Sequence, residues 1–381
     1  MKLLIIYHSG LADDAKSIFR EYVKQGIDLT VIVPVKNGSL VYSHSHDEKA
    51  FKYIPLELKL GFNIFQLFDA IKKVNPDIIH VIDEFTGFTL FQTIVCRNIL
   101  YEKKVQVFSL AFQSLPLTPS FIFRSLWAFL KRVAYKLFVP CMVFYHKNNV
   151  AGVIGGNQEA LQILKNLGVK IPMKLVFWGV NLDLFFPKDR MACREKFGMP
   201  QNVKLIGYFG KIIKEKGLEN LVRAVSQLPE YHLLLVGHGN YKEELQAIIE
   251  SLKIQDRVHW HGSVKLEELA DYYNCLDVYV LPTYTTPIVK EQYGRVLVEA
   301  MACKIPIVGS TCGAIAEVLE GYPVHLIFDE YSLSDLIDKI KKIGTLRLPE
   351  NFDAPAFLYK FSVKNFVTEN IKFYQEISHG S

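Results

Sequence analysis

The chain has 381 residues, which is too long for one ordinary hydrophobic core and suits two domains of usual size. Half of its residues are hydrophobic, 22% are charged and the net charge is +5, so the composition excludes an intrinsically disordered chain. No apolar run reaches the roughly 18 to 20 residues of a membrane span. The six cysteines lie scattered, without a CxxC motif or paired histidines. These features predict a reduced, cytoplasmic protein without structural zinc.

Short apolar runs alternate with helical patterns along the chain, which predicts parallel sheets with crossover helices and hence an α/β fold. The opening segment is expected to be a buried strand rather than a signal sequence, because its apolar core stops at His8 and two Asp follow. The predicted strands of the first half are Leu3–Tyr7, Leu29–Pro34, Ile78–Ile82, Val105–Leu110 and Gly152–Ile154. Those of the second half are Val203–Gly210, His232–Val236, Val258–Trp260, Val278–Leu281 and Ile305–Gly309.

A turn-rich segment near the middle of the chain, Trp178–Pro187, ends in proline and predicts a domain boundary. Near the end, Phe361–Tyr374 has the amphipathic spacing of a helix. We therefore predict one domain over residues 1–185, a second over 186–360, and a C-terminal helix within 361–381.

Positive charge is concentrated in the first half. Residues 1–190 contain 23 Lys and Arg against 15 Asp and Glu, a net charge of +8, and the remainder contains 21 against 24, a net charge of −3. The stretch Phe121–Phe138 interleaves aromatic and basic side chains at helical spacing. Its basic residues are Arg124, Lys131, Arg132 and Lys136. The pattern suits an anionic membrane surface, and equally a core helix with one solvated basic face. Nucleic acid is the poorer interpretation, because no known binding module accompanies the patch.

Three glycine-bearing turns follow predicted strands of the second half. The first contains Gly210, Lys211 and Lys216, and the others are Gly237–Gly239 and His261–Val264. Taken alone, lysines on such a loop are ordinary solvated side chains. Their interpretation therefore depends on the residues that follow.

The run from Glu291 to Pro306 is the most informative part of the chain. It sets two carboxylates, Glu291 and Glu299, eight residues apart across Gly294 and continues into a helical pattern. If the helix starts near Gly294, Glu291 lies in the preceding loop and Glu299 on the first turns. Carboxylates accept hydrogen bonds from the paired hydroxyls of sugars and riboses, and a helix N-terminus favours phosphate. The pattern suits a nucleotide-sugar, although two Glu at this spacing are more often surface residues.

This run, with Ala300-Met301-Ala302 and the strand at Pro306–Gly309, resembles the donor site of the retaining glycosyltransferases of the GT-B fold, family 4. The Gly210–Gly217 loop and the Trp178–Pro187 segment resemble that family's phosphate loop and interdomain segment. The resemblance implies two Rossmann-like domains facing a cleft, the first binding the acceptor and the second the nucleotide-sugar. It also implies a C-terminal helix that crosses back to the first domain.

The resemblance further implies roles for individual residues. Lys211 and Lys216 would hold the donor diphosphate, Lys211 replacing an Arg and so supplying charge without a bidentate fork. Glu291 would bind hydroxyls of the transferred sugar, and Glu299 the ribose. In the first domain, Gln113 stands where the family commonly has His; with Glu84, it is similar to a subgroup making bacterial surface polysaccharides. The catalytic candidates are Glu291, Lys216, Lys211 and Gln113. The donor-binding candidates are Gly10, Gly210, Lys211, Lys216, His261, Gly262, Val264, Glu291, Tyr293, Gly294, Arg295, Val296 and Glu299.

The expected activity is transfer of a hexosyl group from a UDP- or GDP-sugar to a saccharide or lipid-linked saccharide, with retention of configuration. Glutamine cannot move a proton at neutral pH. The resemblance implies a reaction that relies on positioning and charge stabilisation, in which the donor phosphate itself takes the proton. No Asp-x-Asp motif ends a predicted strand, and we expect neither metal nor cofactor. Two alternatives stay open, a nucleotide-sugar epimerase of the same architecture and a catalytically reduced nucleotide-sugar-binding subunit. The expected location is cytoplasmic, with peripheral attachment to the inner face of the cell membrane as a further hypothesis.

Overall fold

The computed structural model describes residues 1–8, 13–36, 39–40, 50–58, 61–102, 104–112, 138–287 and 289–379. The chain divides into two compact units, one formed by Met1–Gly179 with Lys360–Ser381 and the other by Val180–Tyr359. Among the sequence candidates, Gly10, Gln113 and the basic residues between 121 and 137 lie outside the described residues.

The first unit contains a predominantly parallel sheet of eight strands within the described ranges, in the order β3-β2-β1-β5-β6-β7-β8, with β4 also paired to β2. Among the strands that the structure describes in this unit, only β3 is antiparallel to its neighbour. The strands are β1 (Lys2–Tyr7), β2 (Asp28–Lys36), β3 (Ser39–Leu40), β4 (Lys52–Glu57), β5 (Ile78–Ile82), β6 (Gln106–Ala111), β7 (Gly152–Gly155) and β8 (Met173–Leu175). The central strands are buried on both faces, which explains why they appear in the sequence as nearly continuous apolar runs, interrupted in β5 by the buried His80.

Helices of the first unit cover this sheet. They are α1 (Asp13–Lys24), α2 (Ile64–Val74), α3 (Phe88–Tyr101), α4 (Gln158–Asn166) and the C-terminal α13 (Val363–His379), with a further helical stretch over residues 138–147. Local chemistry fixes several ends. Asn63 and Asn157 accept hydrogen bonds from free backbone N–H groups at the starts of α2 and α4, and Asn75 ends α2 in the left-handed conformation.

The C-terminal helix α13 packs on the first sheet through aromatic and polar contacts. Phe373 occupies the space beside Gly152, where a Cβ atom would lie 2.8 Å from its ring. The Tyr374 hydroxyl lies 2.7 Å from Nδ1 of buried His80 on β5 and 3.2 Å from the Tyr22 hydroxyl on α1. The residues from 360 onward are therefore an integral part of the first unit.

The second unit contains a parallel sheet of six strands in the order β11-β10-β9-β12-β13-β14. The strands are β9 (Lys204–Phe209), β10 (Tyr231–Val236), β11 (Val258–His261), β12 (Val278–Leu281), β13 (Ile307–Ser310) and β14 (His325–Phe328). Numbered from its first strand, this order is 3-2-1-4-5-6, the Rossmann arrangement, and the strand order reverses between β9 and β12.

The helices of the second unit are α5 (Arg190–Lys196), α6 (Leu218–Ser226), α7 (Lys242–Ser251), α8 (Leu266–Asn274), α9 (Arg295–Ala302), α10 (Ile315–Leu319), α11 (Leu333–Ile343) and α12 (Ala354–Leu358). Helices α6 to α10 connect successive strands of the sheet, whereas α5 precedes β9, and α11 and α12 follow β14. Caps from Asp189, Ser332 and Asp353 begin α5, α11 and α12.

All ten predicted strands are present, with small differences at their ends, and the α/β fold class is confirmed. Four strands were not predicted from the sequence: β3, β4, β8 and β14. Strand β4 is half-exposed and contains Pro55, and β8 has only three residues, so neither gives a strong apolar run. Across the described ranges, no helix is both long and apolar enough to cross a bilayer.

Candidate active site

The point where the strand order of the second sheet reverses is where open α/β sheets bind ligands, outside the carboxyl ends of the strands. The loop after β9 holds Gly210, Lys211 and Lys216, and the loop after β12 leads to Glu291. Because β9 and β12 are neighbours, these two loops start side by side. The topology thus brings together the two motifs that the sequence singled out separately.

Glycines let the loops after β9, β10 and β11 approach closely. The Gly210 N–H donates to the Val236 carbonyl at 2.9 Å, and the Gly237 N–H donates to the His261 carbonyl at 3.0 Å. Gly237 has φ +139°, and a Cβ atom there would lie 1.9 Å from the Gly210 carbonyl oxygen. A side chain at this position would therefore force the loops apart.

Lys216 and Glu291 form an ion pair although they lie 75 residues apart in sequence, with 2.6 Å between Nζ and Oε2. The Thr283 hydroxyl donates to the same carboxylate oxygen at 3.2 Å. Gly217 makes the approach possible, because it has φ +70° and a Cβ atom would lie 1.9 Å from the Pro282 carbonyl oxygen. The side chains of Lys216 and Glu291 keep 21% and 15% of their surface exposed, so both remain reachable from solvent.

Tyr208, at the end of β9, supports the backbone at Lys211. Its hydroxyl donates to the Lys211 carbonyl at 2.8 Å. Burial, and secondarily the negative charge of Glu291, raises the pKa of Tyr208, so the phenol stays protonated and remains a donor. Lys211 itself is exposed. The turn thus presents its side chain to solvent from a fixed backbone.

Helix α9 begins after Gly294, as the sequence predicts, and Gly294 adopts the left-handed conformation with φ +73°. Glu299 lies on this helix and is only 2% exposed. Its Oε2 atom lies 2.8 Å from the Tyr273 hydroxyl, and its Oε1 atom lies 3.3 Å from Nε of Arg295. The interpretation of Glu299 as a solvated surface residue is therefore wrong: it is a buried carboxylate with a fixed orientation.

Tyr273 holds this carboxylate from α8. Burial and the charge of Glu299 raise the pKa of Tyr273 well above its ordinary value, so the hydroxyl remains a donor. The same hydroxyl lies 3.1 Å from the Val296 carbonyl. Tyr293, another sequence candidate, is buried just before α9.

The remaining candidates lie at the end of β11, which β10 separates from β9. Nδ1 of His261 lies 3.2 Å from the Tyr272 hydroxyl, and burial lowers the pKa of this histidine. After it, Gly262 faces open space, and Val264 is partly buried. Nδ1 of His238 lies 2.6 Å from the Ser263 hydroxyl, which joins this loop to the turn after β10.

Sequence reasoning missed four residues that lie in or beside the candidate site: Thr283, Cys312, Glu330 and Tyr273. The first three follow the ends of β12, β13 and β14, at the edge where parallel sheets bind ligands. Their positions just after strand ends were an available signal for Thr283 and Cys312, whereas Glu330 follows a strand that was not predicted. Tyr273 lies within α8, and nothing in its local sequence marks it.

Comparison with known families supports this location. Residues 189–354 match the family described as glycosyl transferases group 1. The match lies entirely within the second unit.

Two relatives show the extent of the sequence similarity. The D-inositol 3-phosphate glycosyltransferase of Corynebacterium jeikeium is 28% identical over 243 residues, covering 59% of this chain. The sulfoquinovosyl transferase SQD2 of Arabidopsis thaliana is 25% identical over 362 residues, covering 88%. The chain spans 57% and 64% of the lengths of these two relatives. Both relatives are named as transferases.

Solved structures match along almost the whole chain. Sucrose-phosphate synthase from Thermosynechococcus elongatus has a TM-score of 0.74 at 18% identity and covers 100% of both chains. HepE from Anabaena, in complex with UDP and glucose, has a TM-score of 0.74 at 17% identity, covering 99% of this chain and 100% of its own. The fold is GT-B. Both units of this chain are therefore the Rossmann-like domains of a GT-B protein.

Proposed function

We propose that this GT-B protein is a retaining family 4 glycosyltransferase, which moves a hexosyl group from a UDP- or GDP-sugar to a saccharide or lipid-linked saccharide acceptor. The observation that carries the proposal is the Lys216–Glu291 pair at the reversal point of the second sheet. The buried, oriented carboxylate of Glu299 supports it. So does the structural similarity to a protein solved with UDP and glucose.

Lys216 has a role that depends on the ligand. Its ammonium group is paired with Glu291 in this structure. A donor diphosphate is a stronger partner because it carries more negative charge, and hydroxyls of the donor sugar can then occupy Glu291. Binding of an intact nucleotide-sugar therefore gives both side chains a partner.

The reaction needs charge stabilisation at the leaving group. As the bond between the anomeric carbon and the donor phosphate oxygen breaks, the nucleoside diphosphate gains negative charge, and Lys216 and Lys211 would supply the cations that stabilise it. The acceptor oxygen forms its bond to the anomeric carbon on the same face, and its proton passes to the leaving phosphate oxygen. Gln113 is assigned a positioning role in this scheme on sequence alone.

The test is nucleotide release from a panel of UDP- and GDP-sugars, with and without saccharide acceptors. We expect release that depends on acceptor, with the product keeping the anomeric configuration of the donor by NMR. Conversion of the donor to another sugar nucleotide would indicate an epimerase, and tight binding without release would indicate a binding subunit. Either result contradicts the proposal.

Two lysines of one turn provide a matched pair of variants. Lys216→Met removes the cation that contacts Glu291 and should abolish most activity. Lys214→Met removes an exposed cation two residues away, whose nearest carboxylate oxygen belongs to Glu244 at 3.8 Å, and should retain activity. Equal activity of the two variants would refute the role of Lys216.

We also propose that the basic, aromatic stretch of the first domain attaches the enzyme to an anionic membrane, where a lipid-linked acceptor would present its sugar. Each basic residue near such a surface contributes about 1 kcal/mol, screened by salt. Neutralising Arg124, Lys131, Arg132 and Lys136 should weaken cosedimentation with anionic vesicles. A control of equal charge change neutralises Lys253, Lys304, Lys341 and Lys342. Equal vesicle binding by the two variants would favour a soluble acceptor.

A further inference from the structure

Cys312 lies at the centre of the loops that carry Glu291. It follows β13, is fully buried, and is separated from Glu291 by 21 residues. None of the roles assigned above uses this thiol. Its sulfur nevertheless contacts the backbone of Glu291, whose carboxylate lies at the reversal point.

The turn that contains Cys312 holds the Glu291 backbone from both sides. The Glu291 N–H donates to the Cys312 sulfur at 3.4 Å, and the Glu291 carbonyl accepts from the Ala314 N–H at 2.9 Å. Gly313, between them, has φ +58°, and a Cβ atom would lie 2.0 Å from the Glu291 carbonyl oxygen. The backbone of Glu291 is therefore fixed by a turn into which no side chain fits at Gly313.

Cys312 also contacts the loop after β12 at a second point. The Thr285 hydroxyl lies 3.5 Å from the sulfur and 3.1 Å from Oε1 of Glu330. Glu330 also accepts from the Thr285 N–H, and its own N–H donates to the Thr311 hydroxyl at 3.2 Å. The thiol is thus one member of a set of contacts through which the loops after β13 and β14 hold the loop that ends at Glu291.

We propose that Cys312 is a positioning residue that fixes the Glu291 carboxylate against the donor sugar. This inference rests on the proposed function, because it assigns Glu291 the sugar hydroxyls. Burial raises the pKa of the Cys312 thiol, so it remains protonated and acts through hydrogen bonds rather than as a nucleophile. The distance of 3.4 Å suits an N–H···S contact, whereas serine would need the loop to move closer to make the equivalent bond.

The role predicts a specific pattern of kinetics. Glu291 is expected to contact the sugar and not the nucleotide, so disturbing its position should impair use of the nucleotide-sugar and leave nucleoside diphosphate affinity unchanged. Loss of one hydrogen bond gives about a 5-fold effect, and misplacement of a reacting group by 1 Å can give about 100-fold. We therefore expect kcat/KM of Cys312→Ala to fall by about 5- to 100-fold.

The experiment compares Cys312→Ala, Cys312→Ser and Thr285→Val with Cys193→Ala, which removes a buried thiol on α5 as a matched control. Each is measured for kcat and KM with the nucleotide-sugar, Kd for the diphosphate by calorimetry, and thermal stability. We expect the two Cys312 variants and Thr285→Val to have a lower kcat/KM than wild type, while their Kd for the diphosphate stays within about 2-fold of the wild-type value. Cys312→Ser should recover part of the kcat/KM that Cys312→Ala loses, and Cys193→Ala should match wild type.

A double variant completes the test. If Cys312 acts through Glu291, adding Cys312→Ala to Glu291→Ala should reduce kcat/KM little further. Equal kcat/KM for Cys312→Ala and Cys193→Ala, or a parallel loss of diphosphate affinity and thermal stability, would overturn the inference. Wild-type protein that turns over no nucleotide-sugar would instead overturn the proposed function, and the inference with it.

Discussion

Replacing Glu299 tests the proposed nucleotide site most directly, because one variant can remove the charge proposed to bind ribose while the side chain keeps its packing. Glu299→Gln keeps the shape of the side chain and removes the charge. A hydrogen bond to a charged acceptor contributes about 1.5 to 3 kcal/mol. We therefore expect the Kd for nucleoside diphosphate to rise by about 10- to 150-fold.

The surroundings of Glu299 determine which substitutions are informative. The side chain is 2% exposed, and both oxygens have protein partners, Tyr273 and Arg295. Glu299→Ala also removes the partner of a buried tyrosine hydroxyl, so a loss of stability would accompany any loss of affinity. The glutamine variant keeps an amide oxygen for Tyr273, which makes it the cleaner measurement. Glu250→Ala, at an exposed position on α7, is the control.

The assay is titration calorimetry with UDP and GDP, each compared with its 2′,3′-dideoxy analogue. Wild type should prefer the ribonucleotide, and the Glu299→Gln variant should lose most of that preference. Unchanged affinity in this variant and in Glu299→Ala would show that the ribose assignment is wrong. Loss of affinity for ribonucleotide and dideoxynucleotide alike would point to a packing defect.

Three further predictions follow from particular contacts. Tyr273→Phe removes only the hydroxyl that orients Glu299 and should weaken diphosphate binding by about 5-fold, measured by calorimetry; unchanged binding would mean that Arg295 alone suffices. Activity should survive EDTA, because Lys211 and Lys216 supply the positive charge at the diphosphate; complete loss, reversed by manganese, would contradict this. Burial lowers the pKa of His80 from its ordinary 6.5 to about 3, so unfolding takes up a proton between these values and stability falls as the pH drops through that window. From pH 7 to pH 5 we expect about 2 kcal/mol of destabilisation from this residue, measured as the difference in pH dependence between wild type and His80→Asn; identical pH dependence would refute it.

The strands were the most predictable part of the fold. In a parallel sheet covered on both faces, a buried strand such as Val278–Leu281 is apolar along its length, and its sequence shows this directly. Partly exposed strands cannot be identified from apolar runs in this way. The strand His325–Phe328 is partly exposed along most of its length, and most residues of Lys52–Glu57 are partly or fully exposed. These segments are strands because they pair with a neighbouring strand, and their composition alone does not indicate it.

The individual sequence motifs could be recognised, but the contacts between residues of different motifs could not be predicted. The start of α9 at Gly294 follows from local sequence, because glycine there adopts a left-handed conformation. The contact between Lys216 and Glu291 depends on β9 and β12 being neighbours, which is a property of strand order. Likewise, the Tyr273 contact to Glu299 depends on how α8 packs against α9, and no spacing in the sequence encodes it.

Main-chain contacts around the site set the positions of the loops that carry Lys216 and Glu291. At Gly217, Gly237 and Gly313 a neighbouring carbonyl oxygen lies where a side chain would begin, so each loop position is set by main-chain contact. Lys216 and Glu291 therefore meet because their backbones are already in place, and their ion pair is a consequence of the loop arrangement rather than its cause. Separation of the pair by a donor would then cost mainly electrostatic energy and little loop rearrangement. A site of this kind can exchange one partner for another while its frame stays fixed, which is the preorganisation that charge stabilisation of a leaving diphosphate requires.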